Sequence, residues 1–200
     1  MKFYNPHEKI GGYNALYAGL VVILISAAIG SWLNVHLNGN LQVALMPERG
    51  FWFTLAEHIA PWLVYSSLFF ILGVVLSKSK IRFVDVAGSF ALARVPFVLI
   101  VLTGIFAGRE ETMSKLFQAA IQNPGQGLGG VALSGGEIVF LIAYMAIILA
   151  LFIWFIALIY HGYRISCNLS GTKLIVSFIA GIIVAEVLSQ TLIQKIYAGF

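Results

Sequence analysis

Five long runs of apolar residues, separated by short polar segments, dominate the chain. They lie at about 14–36, 55–77, 86–108, 137–161 and 173–196. A helix rises about 1.5 Å per residue, so roughly 20 apolar residues cross the ~30 Å hydrocarbon core of a bilayer. The pattern therefore predicts an all-α integral membrane bundle of five transmembrane helices, formed as a single domain over residues 1–200.

The composition supports lipid as the main solvent of this chain. It is 60% hydrophobic and only 10% charged, whereas a soluble domain carries about 25% charged residues. The net charge of +4 is spread along the chain, which argues against a nucleic-acid partner. A single cysteine, Cys167, excludes an internal disulfide and a multi-cysteine metal site. An ordinary free thiol and a palmitoylated cysteine are its two interpretations.

The first apolar run could be a signal peptide or a retained span. It extends over about 13–33, longer than the roughly 7–15 apolar residues of a signal core, and it lacks a clear small-residue cleavage site. We interpret it as a retained first span.

Basic residues predict the orientation of the spans. Seven lie on one side (Lys2, Lys9, Lys78, Lys80, Arg82, Arg164 and Lys173) and four on the other (Arg49, Arg109, Lys115 and Lys195). Because basic residues accumulate in cytoplasmic segments, the N-terminus is expected in the cytoplasm and the C-terminus outside.

Local patterns predict one helix boundary and two helix contacts. Thr54 and Glu57 have the spacing of a capping box, which would begin the second helix. Small residues at every fourth position let helix backbones approach closely. The two predicted contact faces consist of Gly104 with Gly108, and of Ser177 with Gly181 and Ala185.

The segment between the third and fourth spans contains an amphipathic stretch. Its apolar positions have helical spacing and predict a short helix lying in the outer interface: Met113, Leu116, Phe117, Ala120 and Ile121. A glycine-rich loop is expected over 123–136.

Two ionisable residues fall inside predicted spans, where a charge costs roughly 2.5–3.5 kcal/mol or more. Arg94 lies in the third span and Glu186 in the fifth. One interpretation is an inward-facing ion pair that fixes packing or lines a polar path. The other is that Arg94 extends to the cytoplasmic surface, while Glu186 is protonated or hydrogen-bonded.

Catalytic and cofactor motifs are weak. The G-x-G-x-x-G match at 125–130 precedes a membrane span rather than forming part of a βαβ unit. Glu110 and Glu111 with Lys115 resemble the EExxxR motif of intramembrane proteases but are expected at a helix–loop junction. The four histidines are too scattered for a zinc motif: His7, His36, His58 and His161. We expect no cofactor, no metal and no enzymatic activity.

Several segments nevertheless form a recognisable pattern: Gly-x-Phe leading to Arg and Pro, then Trp, Gly-x-Arg and Leu-Ser-x-x-Lys. It is carried by Gly88, Phe90, Arg94, Pro96, Trp154, Gly162, Arg164, Leu169, Ser170 and Lys173. Over residues 54 to 196 the chain resembles bacterial members of the Yip family, five-span membrane proteins related to Ypt/Rab-interacting proteins. The resemblance implies five spans, a cytoplasmic N-terminus and a bacterial inner-membrane location.

Eukaryotic members of that family bind small GTPases, but this property is not carried over. Only about a dozen residues precede the first span here, and the Asp-Leu-Tyr-Gly-Pro segment of eukaryotic members is absent. The resemblance therefore implies a non-enzymatic membrane scaffold or interaction protein, whose partners are lipid and other membrane proteins or further copies of the chain. The alternative is a small transporter or channel subunit that uses Arg94 and Glu186 as buried polar groups.

Overall fold

The computed structural model describes residues 10–45, 50–109, 115 and 133–198. In chain order the elements are α1 (Gly12–Leu33), β1 (Val35–Leu37), β2 (Val43–Leu45), α2 (Phe51–Leu76), α3 (Phe83–Leu92), α4 (Val95–Leu102), α5 (Gly104–Arg109), α6 (Gly135–Ser166) and α7 (Gly171–Ala198).

Five helical segments are long and apolar enough to cross a membrane: α1, α2, the segment Phe83–Phe106, α6 and α7. This confirms the all-α membrane bundle of five spans. The fourth span begins earlier than predicted, because Ser134 caps α6. Its hydroxyl accepts from the Glu137 amide at 3.4 Å, and the Glu137 carboxylate accepts from the Ser134 amide at 2.6 Å. Gly135 and Gly136 are therefore helical rather than part of a loop.

The predicted capping box of Thr54 and Glu57 is wrong. α2 begins at Phe51 with Gly50 as its N-cap, so both residues lie inside the helix, and both are fully buried. The aromatic residues at 51–53 extend the apolar run by one turn. The Glu57 carboxylate makes tertiary hydrogen bonds and does not cap the helix.

The third span is broken where a continuous helix was expected. α3 ends at Leu92 and α4 begins at Val95, with Arg94 at the break. Pro96 explains the position of this break. Proline has no N–H to donate to the Leu92 carbonyl four residues earlier, and its ring clashes with that carbonyl. A second break follows at Thr103, whose hydroxyl donates to the Ile100 carbonyl at 2.6 Å.

The connection between α1 and α2 is a β-hairpin that folds back among the helices. β1 and β2 pair antiparallel, with His36 opposite Ala44. The side chains of Val35, His36 and Leu37 are at most 1% exposed. Non-helical backbone at membrane depth is tolerated only where protein or a water-filled cavity surrounds it. The burial of this hairpin meets that condition.

The small-residue face of α7 lies against α2. A Cβ added at Gly181 would approach Phe69 to 2.8 Å and Leu72 to 3.0 Å. Ser177 and Ala185 on the same face are buried, and the Ser177 hydroxyl lies 3.1 Å from that of Tyr163 in α6.

Gly104, at the start of α5, faces the hairpin. A Cβ there would come within 2.4 Å of the Val35 side chain and 3.2 Å of Leu33. The surroundings of Gly108 lie outside the described residues. The predicted interfacial helix at 113–121 also lies outside the described residues, apart from Lys115. Residues 123–132 of the predicted loop, which contain the G-x-G-x-x-G match, lie outside them as well. Lys115 itself is helical and donates to the Glu137 carboxylate at 2.8 Å.

Phe69 occupies the centre of the core and is fully buried. Its ring contacts four aromatic rings from α2, α3, α6 and α7: Tyr65, Phe90, Tyr163 and Phe178.

The outer face of α6, in contrast to this core, is apolar and exposed. Val139, Ile142 and Leu149 are each at least 60% exposed. Such a face is stable only against lipid or another apolar surface.

Candidate functional site: a buried polar cluster

The tip of the hairpin meets the carboxylate of Glu186 on α7. The backbone amides of Asn40 and Leu41 both donate to this carboxylate at 3.1 Å. The Tyr65 hydroxyl donates at 2.9 Å and the Gln190 amide at 3.2 Å. The carboxylate thus joins the hairpin tip to α2 and α7.

Arg94 lies on the other side of the hairpin tip. Its side chain is 1% exposed, and its Nη2 donates to Asn40 Oδ1. The guanidinium carbon stands 5.1 Å from the centroid of the Phe97 ring, within the range of a cation–π contact. Within the described part of the chain, Arg94 Nη1 has no hydrogen-bond partner.

The structure brings Arg94 and Glu186 together through Asn40 and not as a direct ion pair. No nitrogen–oxygen contact within 4.0 Å joins these two described residues. Asn40 instead accepts from Arg94 with its side chain and donates to Glu186 with its backbone. The second interpretation is wrong for Arg94, which is buried and does not extend to the surface. It is right for Glu186, which is hydrogen-bonded.

The cluster lies close to the middle of the spans. We call the end of the bundle where α1 ends and α2 begins the hairpin end. At 1.5 Å per residue, Tyr65 is about 21 Å from the hairpin end of α2, and Glu186 about 18 Å from that of α7. Arg94 is nearly halfway along Phe83–Phe106. The polar groups are therefore held where the bilayer is most apolar.

A second polar group lies between this cluster and the hairpin end. Glu57 Oε2 is 2.9 Å from His36 Nδ1, and both side chains are fully buried. Glu57 Oε1 accepts from the Tyr197 hydroxyl at 2.6 Å. These contacts tie the hairpin to α2 and to the last turn of α7. Nearby His58 is also fully buried, and neither of its ring nitrogens has a hydrogen-bond partner in the described residues.

A narrow gap beside Arg94 is too small to hold a water molecule. Two of its lining groups are polar but already engaged: the Trp62 indole donates to the Ala87 carbonyl at 3.0 Å, and the Tyr65 hydroxyl donates to Glu186. The full lining is Asn40, Trp62, Tyr65, Phe90, Arg94, Phe155 and Ile159.

The other candidate groups that the structure describes are not assembled into a site, and His7, Glu110 and Glu111 lie outside the described residues. Among the residues that the structure describes, no three His, Cys, Asp or Glu side chains are grouped as a metal ion would require. Cys167 follows α6 and is fully buried. This burial raises the pKa of its thiol to about 12, so at neutral pH it is protonated and unreactive. The free-thiol interpretation therefore fits better than a lipid-modified cysteine.

Comparisons with protein families, curated proteins and solved structures give no match. The fold and the cluster by themselves define a five-span integral membrane protein with a charged site inside its bundle.

Proposed function

We propose that this protein is a small non-enzymatic transporter or channel subunit, which passes a polar solute through the buried cluster. The single observation that carries the proposal is the position of Asn40. The hairpin places this residue between Arg94, at a helix break, and Glu186, at the middle of another helix. Ionisable residues inside a membrane commonly mark substrate paths.

The cost of the buried charges supports a functional role. Replacing a buried ion pair by apolar residues of similar volume is often neutral or stabilising. The hairpin amides need an acceptor at Glu186, but no described carboxylate pairs with Arg94, so stability alone does not explain the charge at that position.

The local backbone supports the same conclusion. Transporters often build their midplane sites from interrupted helices, whose ends and unwound residues contact the solute. Arg94 lies at such an interruption, and the hairpin supplies further non-helical backbone. The hairpin tip is attached to the helices by hydrogen bonds that a polar solute could replace.

Flux into proteoliposomes tests this proposal. We expect the purified protein to pass at least one solute from a panel of small ions, carboxylates, amino acids and sugars. Arg94→Ala and Glu186→Gln should each reduce that flux about tenfold or more, since a hydrogen bond to a charged group contributes about 1.5–3 kcal/mol. Arg164→Ala is the matched control, because Arg164 is exposed at a helix end, and it should leave flux unchanged.

Folding of each variant is checked by size-exclusion chromatography in detergent. If the folded parent protein conducts no solute of the panel, or if the two cluster variants conduct as well as Arg164→Ala, the proposal is wrong.

Two earlier expectations stay predictions. Yip-type interaction with other membrane proteins is implied by the resemblance alone, and crosslinking in native membranes would test it through recovery of a reproducible partner.

The inner-membrane orientation, with a cytoplasmic N-terminus, depends on the distribution of basic residues. Reporter fusions at the two termini test it, and reporters on the same side would contradict it.

A further inference from the structure

We infer that the end of the bundle opposite the hairpin end binds the headgroups of anionic lipids. The surface that binds them consists of four exposed side chains, and we call it the basic surface: Lys78, Lys80, Arg82 and Lys173. This inference does not depend on the proposed function, because it concerns the contact of the protein with its membrane and not the passage of a solute.

Hydrogen bonds bring the parts of the basic surface together. Lys173 lies in the first turn of α7, and the other three residues lie between α2 and α3. The Asn168 side-chain amide, in the connection between α6 and α7, donates to the Ser79 hydroxyl at 3.0 Å. The Ser166 hydroxyl, at the end of α6, donates to the backbone carbonyl of Asp85 in α3, also at 3.0 Å. The two connections therefore lie side by side and present their basic residues together.

The basic surface has little negative charge of its own. Asp85 is the one described carboxylate that pairs with it, through two hydrogen bonds of 2.9 Å from Arg82. No described carboxylate pairs with Lys78, Lys80 or Lys173. Lys173 is also placed unfavourably for its own helix, because a helix carries partial positive charge at its N-terminal end. An anion supplied from outside the chain would compensate these charges.

Exposed tyrosines place the basic surface at the level of the lipid headgroups. Tyr13 and Tyr17, near the start of α1, are each more than 60% exposed, and tyrosine is enriched at the boundary between the headgroups and the acyl chains. A Cβ added at Gly12 would lie 3.9 Å from Arg82 Nη2. The start of α1, with its tyrosines, is therefore next to the basic surface.

Apolar residues beside the basic surface favour a lipid over a soluble acidic protein. Val75 precedes Lys78 by three residues and is 74% exposed, and Val176 follows Lys173 by three residues and is 60% exposed. A lipid covers such neighbours with its acyl chains and its headgroup together, whereas a soluble protein reaches only the charges. On the predicted orientation this end faces the cytoplasmic leaflet, whose anionic lipids attract basic segments.

Native mass spectrometry of the unmodified protein in detergent tests the inference. Phosphatidylglycerol and phosphatidylcholine with identical acyl chains are added at equal concentrations. We expect bound phosphatidylglycerol to exceed bound phosphatidylcholine by about tenfold or more, because several lysine and arginine side chains contribute to the attraction. Equal binding of the two lipids would overturn the inference.

Competitors separate a lipid from other anions. Glycerol phosphate, which has the anionic group without acyl chains, should leave bound phosphatidylglycerol unchanged at the concentration of the lipid. Polyglutamate at that concentration should also leave it unchanged. Displacement by glycerol phosphate would indicate a site for free phosphates, and displacement by polyglutamate would indicate a docking surface for an acidic protein. Either result would overturn the inference.

Variants locate the bound lipid. Lys78→Gln combined with Lys80→Gln should lower the preference for phosphatidylglycerol to about twofold or less, and Lys173→Gln should lower it by about half or more. Lys195→Gln is the matched control for Lys173→Gln, since Lys195 is an exposed lysine at the hairpin end of the same helix, and it should bind like the parent. Size-exclusion chromatography confirms that each variant is folded. An unchanged preference in the folded double variant, or an equal loss in Lys195→Gln, would overturn the inference.

Discussion

Alanine at Gly19 is expected to destabilise the protein by about 3 kcal/mol or more, at or above the upper end of the usual range for overpacking. A Cβ at this position of α1 would lie 2.4 Å from the carbonyl carbon and the Cβ of Ala91, and 2.5 Å from the Leu92 nitrogen. The obstacle is the backbone of α3, which cannot rotate away as a flexible side chain can. The helices must separate, and α3 leads directly to the break at Arg94.

Unfolding in detergent by titration with SDS measures this loss. Gly136→Ala is the matched control, since a Cβ there meets nothing within 4 Å. Alanine is the better helix former, so this control should be neutral or up to about 1 kcal/mol more stable. A Gly19→Ala protein as stable as Gly136→Ala would show that α1 and α3 are not packed backbone against backbone.

Alanine at Glu186 is expected to cost about 3 kcal/mol or more, because each buried donor left without an acceptor costs about 1–3 kcal/mol. The change leaves the Asn40 and Leu41 amides and the Tyr65 hydroxyl without their acceptor. Arg94 also loses its nearest described countercharge. Glu186→Gln should cost less, because one side-chain oxygen remains to accept.

The same SDS titration measures this effect. Val187→Ala is the control, because Val187 is on the same turn of α7 but 59% exposed and faces the surroundings of the bundle. Glu186→Ala unfolding at the same SDS fraction as Val187→Ala would mean that the carboxylate does not hold the hairpin.

The spans could be predicted from the sequence because membrane crossing depends on length and apolar content alone. Arg94 and Glu186 could be singled out for the same reason, as charges in otherwise apolar runs. The break in the third span has a local cause in Pro96, yet proline within a helix permits either a kink or a break. Only the packing around Arg94 distinguishes the two.

The hairpin could not be placed from sequence patterns. Its Asn38-Gly39 pair is a hairpin signal, but a polar loop at the membrane surface has the same composition. Burial of the hairpin depends on Asn40 and Leu41 reaching Glu186, nearly 150 residues away in the chain. The contacts of Glu57 with His36 and Tyr197 are equally long-range. The Thr54–Glu57 spacing instead suggested a local cap.

Hydrogen exchange at the hairpin tip tests most directly whether Glu186 holds the hairpin inside the bundle. In reconstituted protein, the amides of Asn40 and Leu41 should exchange as slowly as those of the packed helix α3. In Glu186→Ala they should exchange rapidly, while the core of α3 stays protected. Exchange of both amides in the unmodified protein as fast as at exposed Gly50 would contradict a hairpin buried among the spans.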